Sequence, residues 1–299
     1  MRIIVAGALG EVGRTVGAAL ADLGHSVVGV SSRAPLDESP EIASLVAAVD
    51  LIRSGEIDLV VNCSGRGDRR VGERTGQEAT DALAAAVAAA GIPGVLLSTT
   101  RVLEGYDADY DEDAPSRALT PYALANAANE EAWLQSAGPR AHVVRITNYF
   151  APPGQFDSPQ SLLLPWSLVT EALASGQIGI RSGPSLAKEF VSAGDVARAV
   201  LVVAASSDAP AVCATVPGSS FTLQALADVV SSAVVASGRA RPSVTFGPDG
   251  PVGAACRPGW LEGRGWSGAL THDAIEQVIT GWVLRWSTAA PAADDLEAQ

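Results

Sequence analysis

Lysine is nearly absent from this chain: Lys188 is the only one among 20 basic side chains. A mechanism that requires an ammonium group must therefore use Lys188. The acidic side chains number 33, which leaves a net charge of -13. Such a surface repels phosphate backbones, and the sequence has no basic stripe with interleaved aromatic residues. We therefore expect no nucleic-acid partner.

Cysteine is also scarce. Cys63, Cys213 and Cys256 are far apart and odd in number, so the sequence predicts neither a disulfide framework nor a metal site. Residues 1–30 lack the basic region, long apolar core and cleavage site of a signal peptide. No apolar run approaches the ~18 to 20 residues that a membrane span needs. We expect a cytoplasmic protein in a reducing compartment, without a membrane partner.

Hydrophobic residues are abundant, at 47% of the chain, and supply a full core. Short apolar strands alternate with helices up to about residue 150, which predicts an α/β fold with a doubly wound parallel sheet, the Rossmann architecture. The predicted strands are 2–6, 25–30, 57–63, 94–98 and 141–146, and the clearest predicted helices are 80–90 and 121–136. Residues 1–150 form the expected dinucleotide-binding domain. Residues 151–288 form a smaller, interleaved C-terminal substrate lobe with returning Rossmann elements, and 289–299 an acidic, solvated tail.

The third strand of the sheet is ambiguous. The run LVAAV before Asp50 fits a strand, whereas residues 42–52 fit a helix equally well. The pattern does not decide between the two.

A glycine triplet follows the first strand directly and opens a helix. Gly7, Gly10 and Gly13 have the spacing G-x-x-G-x-x-G, with Glu11 and Val12 between the last two. Glycine permits a tight turn, lets a pyrophosphate approach the backbone amides and lets the helix pack on the strand. The N-terminus of the helix attracts the anion. We therefore expect these five residues to bind a dinucleotide cofactor.

The second strand ends in Ser31, Ser32 and Arg33 rather than in an acid. An acid at this point holds the ribose 2′-hydroxyl of NAD, whereas a 2′-phosphate needs hydroxyls and a cation. The sequence therefore favours NADP(H), and the alternative is that Arg33 is a solvated loop residue.

Small residues lie at the end of the predicted strand 57–63, at Cys63, Ser64 and Gly65. They would let the cofactor lie across the strand ends. Cys63 is interpreted as a small buried side chain rather than as a nucleophile.

With these pieces the sequence resembles the extended short-chain dehydrogenase/reductase family, in its NAD-dependent epimerase/dehydratase branch, over essentially its whole length. The motifs that carry the resemblance are GALGEVG at Gly7, DLVVNCSG at Asp58, LLSTTRVLEG at Leu96, PYALAN at Pro121, VVRITNYFAPPG at Val143 and KEFVSAGDVARA at Lys188, with a weaker match, GRGWSGALTHDAIEQVITGW, at Gly263.

The resemblance implies an active site made of a hydroxyl, a tyrosine and a lysine four residues later. The hydroxyl is Thr99, with Ser98 and Thr100 adjacent, and the tyrosine is Tyr122, but the lysine position is Asn126. Positions 122 and 126 share a helix face, so Asn126 should point where the ammonium belongs. Asparagine keeps a hydrogen bond but not the positive charge that lowers the tyrosine pKa. A tyrosine with the ordinary pKa of about 10 is protonated at neutral pH and suited to donating a proton.

The resemblance also bears on the substrate. Relatives hold a diphosphate with two cations. The first corresponds to Lys188 here, whereas the second falls in the stretch 247–253, which has an acid, Asp249, and no cation, and this argues against a diphosphate ligand. Leu162, Leu163, Leu164 and Trp166 either roof an apolar substrate site or pack the core of the small lobe. Asn148 and Tyr149 are expected as wall residues beside nicotinamide or substrate.

Other candidate groups have plainer interpretations. The acids of YDADYDEDAP, from Asp107 to Asp113, lack the glycine and the final glutamate of a calcium loop, and we interpret them as solvated. His25, His142 and His272 lack ligand-spaced partners, so surface or structural roles are expected.

The leading hypothesis is an NADPH-dependent ketoreductase that acts on a small-molecule ketone, a natural-product intermediate of aromatic-polyketide type such as an angucycline. The first alternative is a nucleotide-deoxysugar 4-ketoreductase or epimerase. The second is a non-catalytic NADP-binding sensor. The sequence leaves the oligomeric state open.

Overall fold

The computed structural model describes residues 1–31, 42–64, 77–151, 163–206, 211–249, 256–257, 259–268 and 270–289. The strands are β1 (Arg2–Ala6), β2 (Ser26–Val30), β3 (Ile42–Ala43), β4 (Leu59–Asn62), β5 (Gly94–Thr99), β6 (Tyr110–Asp111), β7 (Ala141–Ile146), β8 (Asn148–Phe150), β9 (Gln177–Ile180), β10 (Ala187–Ser192), β11 (Cys213–Thr215), β12 (Ser219–Thr222), β13 (Ser243–Phe246) and β14 (Cys256–Arg257). The helices are α1 (Glu11–Asp22), α2 (Leu45–Arg53), α3 (Gln77–Ala90), α4 (Pro121–Ser136), α5 (Leu164–Ser175), α6 (Ala193–Ala204), α7 (Leu223–Ala236) and α8 (His272–Ala289), with 3₁₀ turns at Thr100–Leu103 and Glu262–Arg264.

Seven parallel strands form the central sheet, in the order β11-β7-β5-β4-β1-β2-β3. Helices cover both faces. Ile4 of β1 belongs to the core that α2, α3 and α4 close, whereas α1 packs over Val5, which lies 3.9 Å from the Cβ position of Gly17. The predicted doubly wound parallel sheet is confirmed, and its apolar strands are buried because helices flank them on both sides.

The ambiguous third segment is resolved in favour of a helix. LVAAV is the start of α2, and the Ser44 hydroxyl caps that helix by accepting the amide of Ala47. The third strand is the two-residue β3, which pairs with β2 through Gly29 and Val30. Interpreting LVAAV as a strand is wrong, because a capping serine directly before the run starts a helix there.

The chain divides into two compact units. The first comprises Met1–Ala151, Val191–Pro217 and Gly253–Ala269, and the second Pro152–Phe190, Gly218–Val252 and Leu270–Gln299. In the second unit, β10 pairs antiparallel with β12 and β9 pairs parallel with β13. None of the described helices is both long and apolar enough to cross a membrane.

The core of the second unit contains one of the expected substrate-site residues. Trp166 is 1% exposed, and its ring meets the edge of Trp282 at a centroid distance of 5.5 Å. Its role is therefore packing, which is the second of the two interpretations of this segment. Leu163 and Leu164 are partly buried, and Leu162 and residues 290–299 lie outside the described part of the chain.

Glu112 is buried, which contradicts the interpretation of the acidic loop as fully solvated. Its carboxylate is 7% exposed and accepts the amide of Thr215 at 2.7 Å, that of Gly259 at 2.9 Å and that of Trp260. These donors lie more than 100 residues away along the chain. Glu112 therefore ties the segment after β6 to β11 and to the loop after β14, while the neighbouring Asp111 and Asp113 are exposed.

A buried ion pair connects the same region to α4. Arg145 of β7 and Glu130 of α4 are each 5% exposed, and two guanidinium nitrogens of Arg145 reach the carboxylate at 2.6 and 3.0 Å. The third nitrogen donates to the carbonyl oxygen of Glu112 at 2.7 Å. Because each of the three guanidinium nitrogens has an acceptor, the cost of burying this charge is compensated.

His142 lies inside the sheet with no exposed surface. The amide of Val212 approaches its Nδ1 at 3.4 Å. Burial, with a smaller contribution from Arg140, lowers the pKa of His142 from its ordinary 6.5 to about 4. The ring is therefore neutral at physiological pH, in agreement with the structural role expected for it.

Replacing Glu112 by alanine should lower the free energy of unfolding by about 3 kcal/mol, because three amides lose their acceptor. Urea denaturation measures the change. The control is Asp113→Ala at the exposed neighbouring acid, which should stay within about 0.5 kcal/mol of the parent protein. Equal midpoints for the two variants would contradict the role given to Glu112.

The stability of the protein should fall as the pH drops from about 6.5 to about 4, because His142 becomes protonated in the unfolded chain while it stays neutral in the folded chain. His142→Leu removes this proton uptake, so its stability should fall less over that window. Thermal unfolding at several pH values provides the measurement, and His272→Asn at an exposed histidine is the control. A His142→Leu variant with the full acid sensitivity of the parent would refute the assignment.

Candidate active site

The glycine turn is built by close backbone packing at the carboxyl end of β1. Gly7 has a φ of +76°, a conformation that favours glycine, and its carbonyl accepts the amide of Gly10 at 2.8 Å. A Cβ at position 13 would lie 2.3 Å from the Gly7 oxygen, and a Cβ at position 7 would lie 2.8 Å from the Cys63 oxygen. Side chains at these positions cannot fit without movement of the backbone.

This turn fits the pyrophosphate of a dinucleotide. Helix α1 begins at Glu11 directly after it, and its N-cap, Gly10, has no side chain of its own to cap the helix. The amides of Val12 and Gly13 lie in the first turn, where the helix itself offers no acceptor, and the positive end of the helix dipole lies there too. The five expected residues of the turn thus occupy one strand-turn-helix unit.

Tyr149 braces this helix rather than lining a wall as expected. It is 4% exposed, and its hydroxyl shares a buried hydrogen bond with Thr15, which donates to the carbonyl of Glu11. Burial raises the pKa of Tyr149 above its ordinary value, so the phenol stays neutral. Asn148 beside it is exposed. No sequence pattern indicates the Thr15 contact, because it joins residues that are distant in the chain.

The end of β4 is organised by Asn62, which the sequence reasoning missed. Asn62 has no exposed surface, accepts the backbone amide of Ser64 at 2.9 Å as well as its hydroxyl, and donates to Thr80 at 3.1 Å. Its single signal is a polar amide within an otherwise apolar strand. Burial raises the pKa of the Cys63 thiol to about 12, which supports a small packed side chain rather than a nucleophile.

The residues expected to choose between the two forms of the cofactor lie at the end of β2. Ser31 follows β2 directly and is partly buried, while Ser32 and Arg33 lie outside the described residues. Gly65, expected after β4, lies outside them as well.

Three hydroxyls lie at the carboxyl end of β5. Ser98 and Thr99 are 5% and 6% exposed, and the Thr99 oxygen accepts the amide of Arg101 at 3.2 Å, which caps the 3₁₀ turn. Thr100 is the more accessible of the two threonines. The Thr99 hydroxyl keeps its own proton for donation, so Thr99 and Thr100 are both suited to contacting a carbonyl oxygen.

Helix α4, which carries Tyr122 in its first turn, packs on β5 and on the 3₁₀ turn that follows these hydroxyls. Thr120 caps the helix, Pro121 fills its first position, and Tyr122 is partly exposed. Asn126 donates one of its two N–H groups to the Tyr122 carbonyl oxygen at 2.8 Å. Its amide is therefore engaged with its own helix and supplies no positive charge.

Two further expectations concern ligands. Lys188 lies on β10 opposite Phe221 and is partly buried, while residues 250–253 of the stretch without a cation lie outside the described residues. Among the residues the structure describes, no group of three or more His, Cys, Asp or Glu side chains is arranged to hold a metal.

Comparisons with known proteins give one family and many similar folds. The sequence model of the NAD dependent epimerase/dehydratase family matches residues 3–213. MoeE5 in complex with UDP-glucose and NAD is 21% identical, with a TM-score of 0.74 over 95% of this chain and 99% of that one. The UDP-glucose 4-epimerase of Thermus thermophilus, a complex with NAD, is 19% identical, with a TM-score of 0.73 over 97% and 100% of the two chains.

A third similar structure is dTDP-glucose 4,6-dehydratase from Bacillus anthracis str. Ames in complex with NAD, which is 16% identical. Its TM-score is 0.75, with 96% of this chain and 98% of that one covered. No curated protein matches the chain.

These comparisons overturn the leading functional hypothesis. Similar solved structures include nucleotide-sugar epimerases and a dehydratase, so the assignment as an aromatic-polyketide ketoreductase is contradicted. The family match covers the glycine turn, the hydroxyls of β5, Tyr122 and Asn126. The chain belongs to the NAD dependent epimerase/dehydratase family.

Proposed function

We propose that this protein is an NAD(P)-dependent reductase of a keto sugar linked to a nucleoside diphosphate. The observation that carries the proposal is the active-site set itself: a hydroxyl pair and a tyrosine remain, while the lysine position holds an asparagine bonded to its own helix. The sugar substrate is supported by similar structures described as complexes with UDP-glucose and with UDP-N-acetylmuramic acid. Lys188 keeps one of the two cations that the resemblance assigns to a diphosphate.

The glycine turn and the strand ends beside it would hold the cofactor. Gly7, Gly10, Glu11, Val12 and Gly13 would bind the pyrophosphate through backbone amides and the helix dipole. The nicotinamide half of the cofactor would be bordered by Cys63 and Ser64, which follow β4, and by Asn148, which comes after β7. A reduced nicotinamide bound there supplies hydride to the carbonyl carbon.

The cofactor form that we propose is NADPH. Ser31 and Ser32 are hydroxyls and Arg33 is a cation, and no acid occurs among the three. An acid would bond the 2′-hydroxyl of NADH and repel a 2′-phosphate, whereas hydroxyls and a guanidinium suit the phosphate. The similar structures named above hold NAD, so both forms need to be compared by direct titration.

The protein side of the reduction is a proton transfer to the carbonyl oxygen. Thr99 or Thr100 would donate a hydrogen bond to that oxygen, and the Tyr122 hydroxyl would give its proton to the developing alkoxide. Solvent would then return a proton to the Tyr122 phenolate. These proton transfers need no lysine, because the tyrosine would begin the reaction in its neutral form.

The reverse reaction is less suited to this site. Oxidation of a sugar hydroxyl requires a base, and a tyrosine becomes a base at neutral pH only when a nearby positive charge stabilises its phenolate. The described site offers no such charge at position 126. An epimerase that passes through a keto intermediate needs both directions, so we propose reduction rather than epimerisation.

A second candidate function is dinucleotide binding without catalysis. The observation that favours it is the bond from Asn126 to the Tyr122 carbonyl, which engages the amide within its own helix. Such a protein would bind the cofactor and leave every ketone unreduced.

Gly13→Ala should weaken cofactor binding by at least about tenfold, because its Cβ would press into the Gly7 carbonyl at 2.3 Å and push the turn open. Fluorescence titration with NADPH and NADH gives the two dissociation constants. Gly17→Ala on the same helix is the matched control, since its Cβ meets only ordinary contacts at 3.7 Å. Equal affinities in the two variants would rule out the turn as the pyrophosphate site.

Tyr122→Phe should lower kcat for reduction of a dTDP-linked 4-keto-6-deoxyhexose about 100-fold, because the developing alkoxide loses its proton donor. The loss of reduced nicotinamide absorbance measures the rate, and Tyr106→Phe, which loses only a bond to the Pro115 carbonyl, is the control. Undiminished turnover in Tyr122→Phe would remove Tyr122 as the donor. Cofactor binding without turnover by the parent protein would favour the second candidate. Failure of dTDP to compete would exclude a dTDP-linked sugar as the substrate.

A further inference from the structure

The turn that follows the candidate hydroxyls carries an ion pair of its own. Arg101 and Glu104 lie three residues apart, and the Arg101 Nε meets a Glu104 carboxylate oxygen at 2.5 Å. The Arg101 side chain is 53% exposed and that of Glu104 only 15%. An exposed pair of this kind contributes little stability by itself, so its importance rests on what else Glu104 binds.

The second oxygen of Glu104 reaches across to the start of α4. It accepts the backbone amide of Thr120 at 2.8 Å and that of Leu119 at 3.2 Å. Thr120 is the N-cap of α4, and Tyr122 lies two residues beyond it. Glu104 therefore holds the two backbone units from which the Tyr122 helix starts.

The charge state of Glu104 suits this role. Partial burial opposes ionisation, but hydrogen bonds from Arg101 and Thr120 outweigh it and hold the pKa of the Glu104 carboxyl below its ordinary value. The group is thus a carboxylate at neutral pH, with one oxygen on the guanidinium and the other on the two amides.

The chain of contacts continues to the candidate hydroxyl at its other end. The Arg101 amide donates to the Thr99 oxygen at 3.2 Å, so Arg101 contacts Thr99 through its backbone and Glu104 through its side chain. Backbone bonds between Gly105 and Arg117 at 2.9 Å and between Arg117 and Val102 at 2.9 Å hold the approaching loop against the same turn. Thr99 and the first turn of α4 are therefore linked through two side chains within one compact unit.

We propose that Glu104, held by Arg101, is a positioning residue that sets the place of Tyr122 relative to Thr99. The inference rests on the proposed reductase function. Donation to a carbonyl held by Thr99 requires the Tyr122 oxygen at hydrogen-bond distance from the same atom, and a misplacement of about 1 Å costs up to about 100-fold in rate. Because this site lacks the lysine cation, the efficiency of Tyr122 as a proton donor depends on where its hydroxyl is placed.

The catalytic test compares Glu104→Ala with Glu104→Gln. Alanine removes both interactions, so kcat for the dTDP-linked keto sugar should fall about tenfold, while KM and the cofactor dissociation constant change less than about threefold. Glutamine keeps an oxygen acceptor for the Leu119 and Thr120 amides and should restore most of kcat. The matched control is Glu56→Ala, which breaks the Arg2–Glu56 ion pair, also 2.5 Å long. This pair lies at the start of β1, whereas the glycine turn follows the end of that strand.

A second readout does not depend on turnover. The chain has four tyrosines, so ring-labelled tyrosine gives four sets of NMR signals, and Tyr122→Phe identifies that of Tyr122. Glu104→Ala should shift or broaden the Tyr122 signal and leave that of buried Tyr149 unchanged, and Glu104→Gln should resemble the parent. If the parent fails to reduce keto sugars, the proposed function is wrong while this comparison still tests the positioning.

Two results would overturn the positioning role. One is an unchanged Tyr122 signal in Glu104→Ala. The other is a loss of kcat that is equally large in Glu104→Gln, or that is accompanied by an equal loss of cofactor affinity and of folded protein. Either form of this result would indicate only a structural role for Glu104.

Discussion

The bond between Arg145 and Glu130 fixes helix α4 to the central sheet, and the candidate active site depends on that attachment. Both side chains are 5% exposed, so each would be costly to bury alone. The pair is compensated because Glu130 accepts from two nitrogens and the Glu112 carbonyl accepts from the third. Glu112 in turn uses its carboxylate to hold β11 and the loop after β14. One buried network thus joins four separate stretches of the chain beneath the helix that carries Tyr122.

Helix α4 is held near its middle by charge and at its start by hydrogen bonds. Glu130 is in the third turn of the helix, whereas Thr120 caps its beginning and is itself held by Glu104. A helix fixed at two points along its axis has little freedom to rotate or slide. In the proposed reaction this rigidity matters for Tyr122, because its hydroxyl would have to meet a carbonyl held by the hydroxyls of β5. The turn between β5 and α4 is therefore as much a part of the site as the residues that carry the chemistry.

Local sequence predicts much of this architecture, and the parts it misses depend on contacts distant along the chain. The helix 121–136 and the strand 141–146 match the observed elements residue for residue, because a Thr-Pro helix start and an apolar run are strong local signals. The glycine turn was predictable because its steric demand falls within residues 7–13. Glu112, by contrast, resembles any acid of a solvated loop until remote amides make its burial favourable. Tyr149 likewise gains its role from a partner 134 residues earlier, and no periodicity encodes such a pair.

Asn126 illustrates the difference between naming a substitution and knowing its effect. The sequence alone permits an amide that takes over the hydrogen bond of the missing lysine, whereas the structure has that amide donating to the Tyr122 carbonyl in its own helix. In the proposed mechanism the site then keeps a proton donor and loses the electrostatic support for a phenolate. Reduction draws only on the donor, while oxidation and epimerisation draw on the phenolate as well. Loss of one charge therefore affects the two directions of the same reaction unequally, and this asymmetry is the physical basis for proposing a reductase within a family named for epimerases and dehydratases.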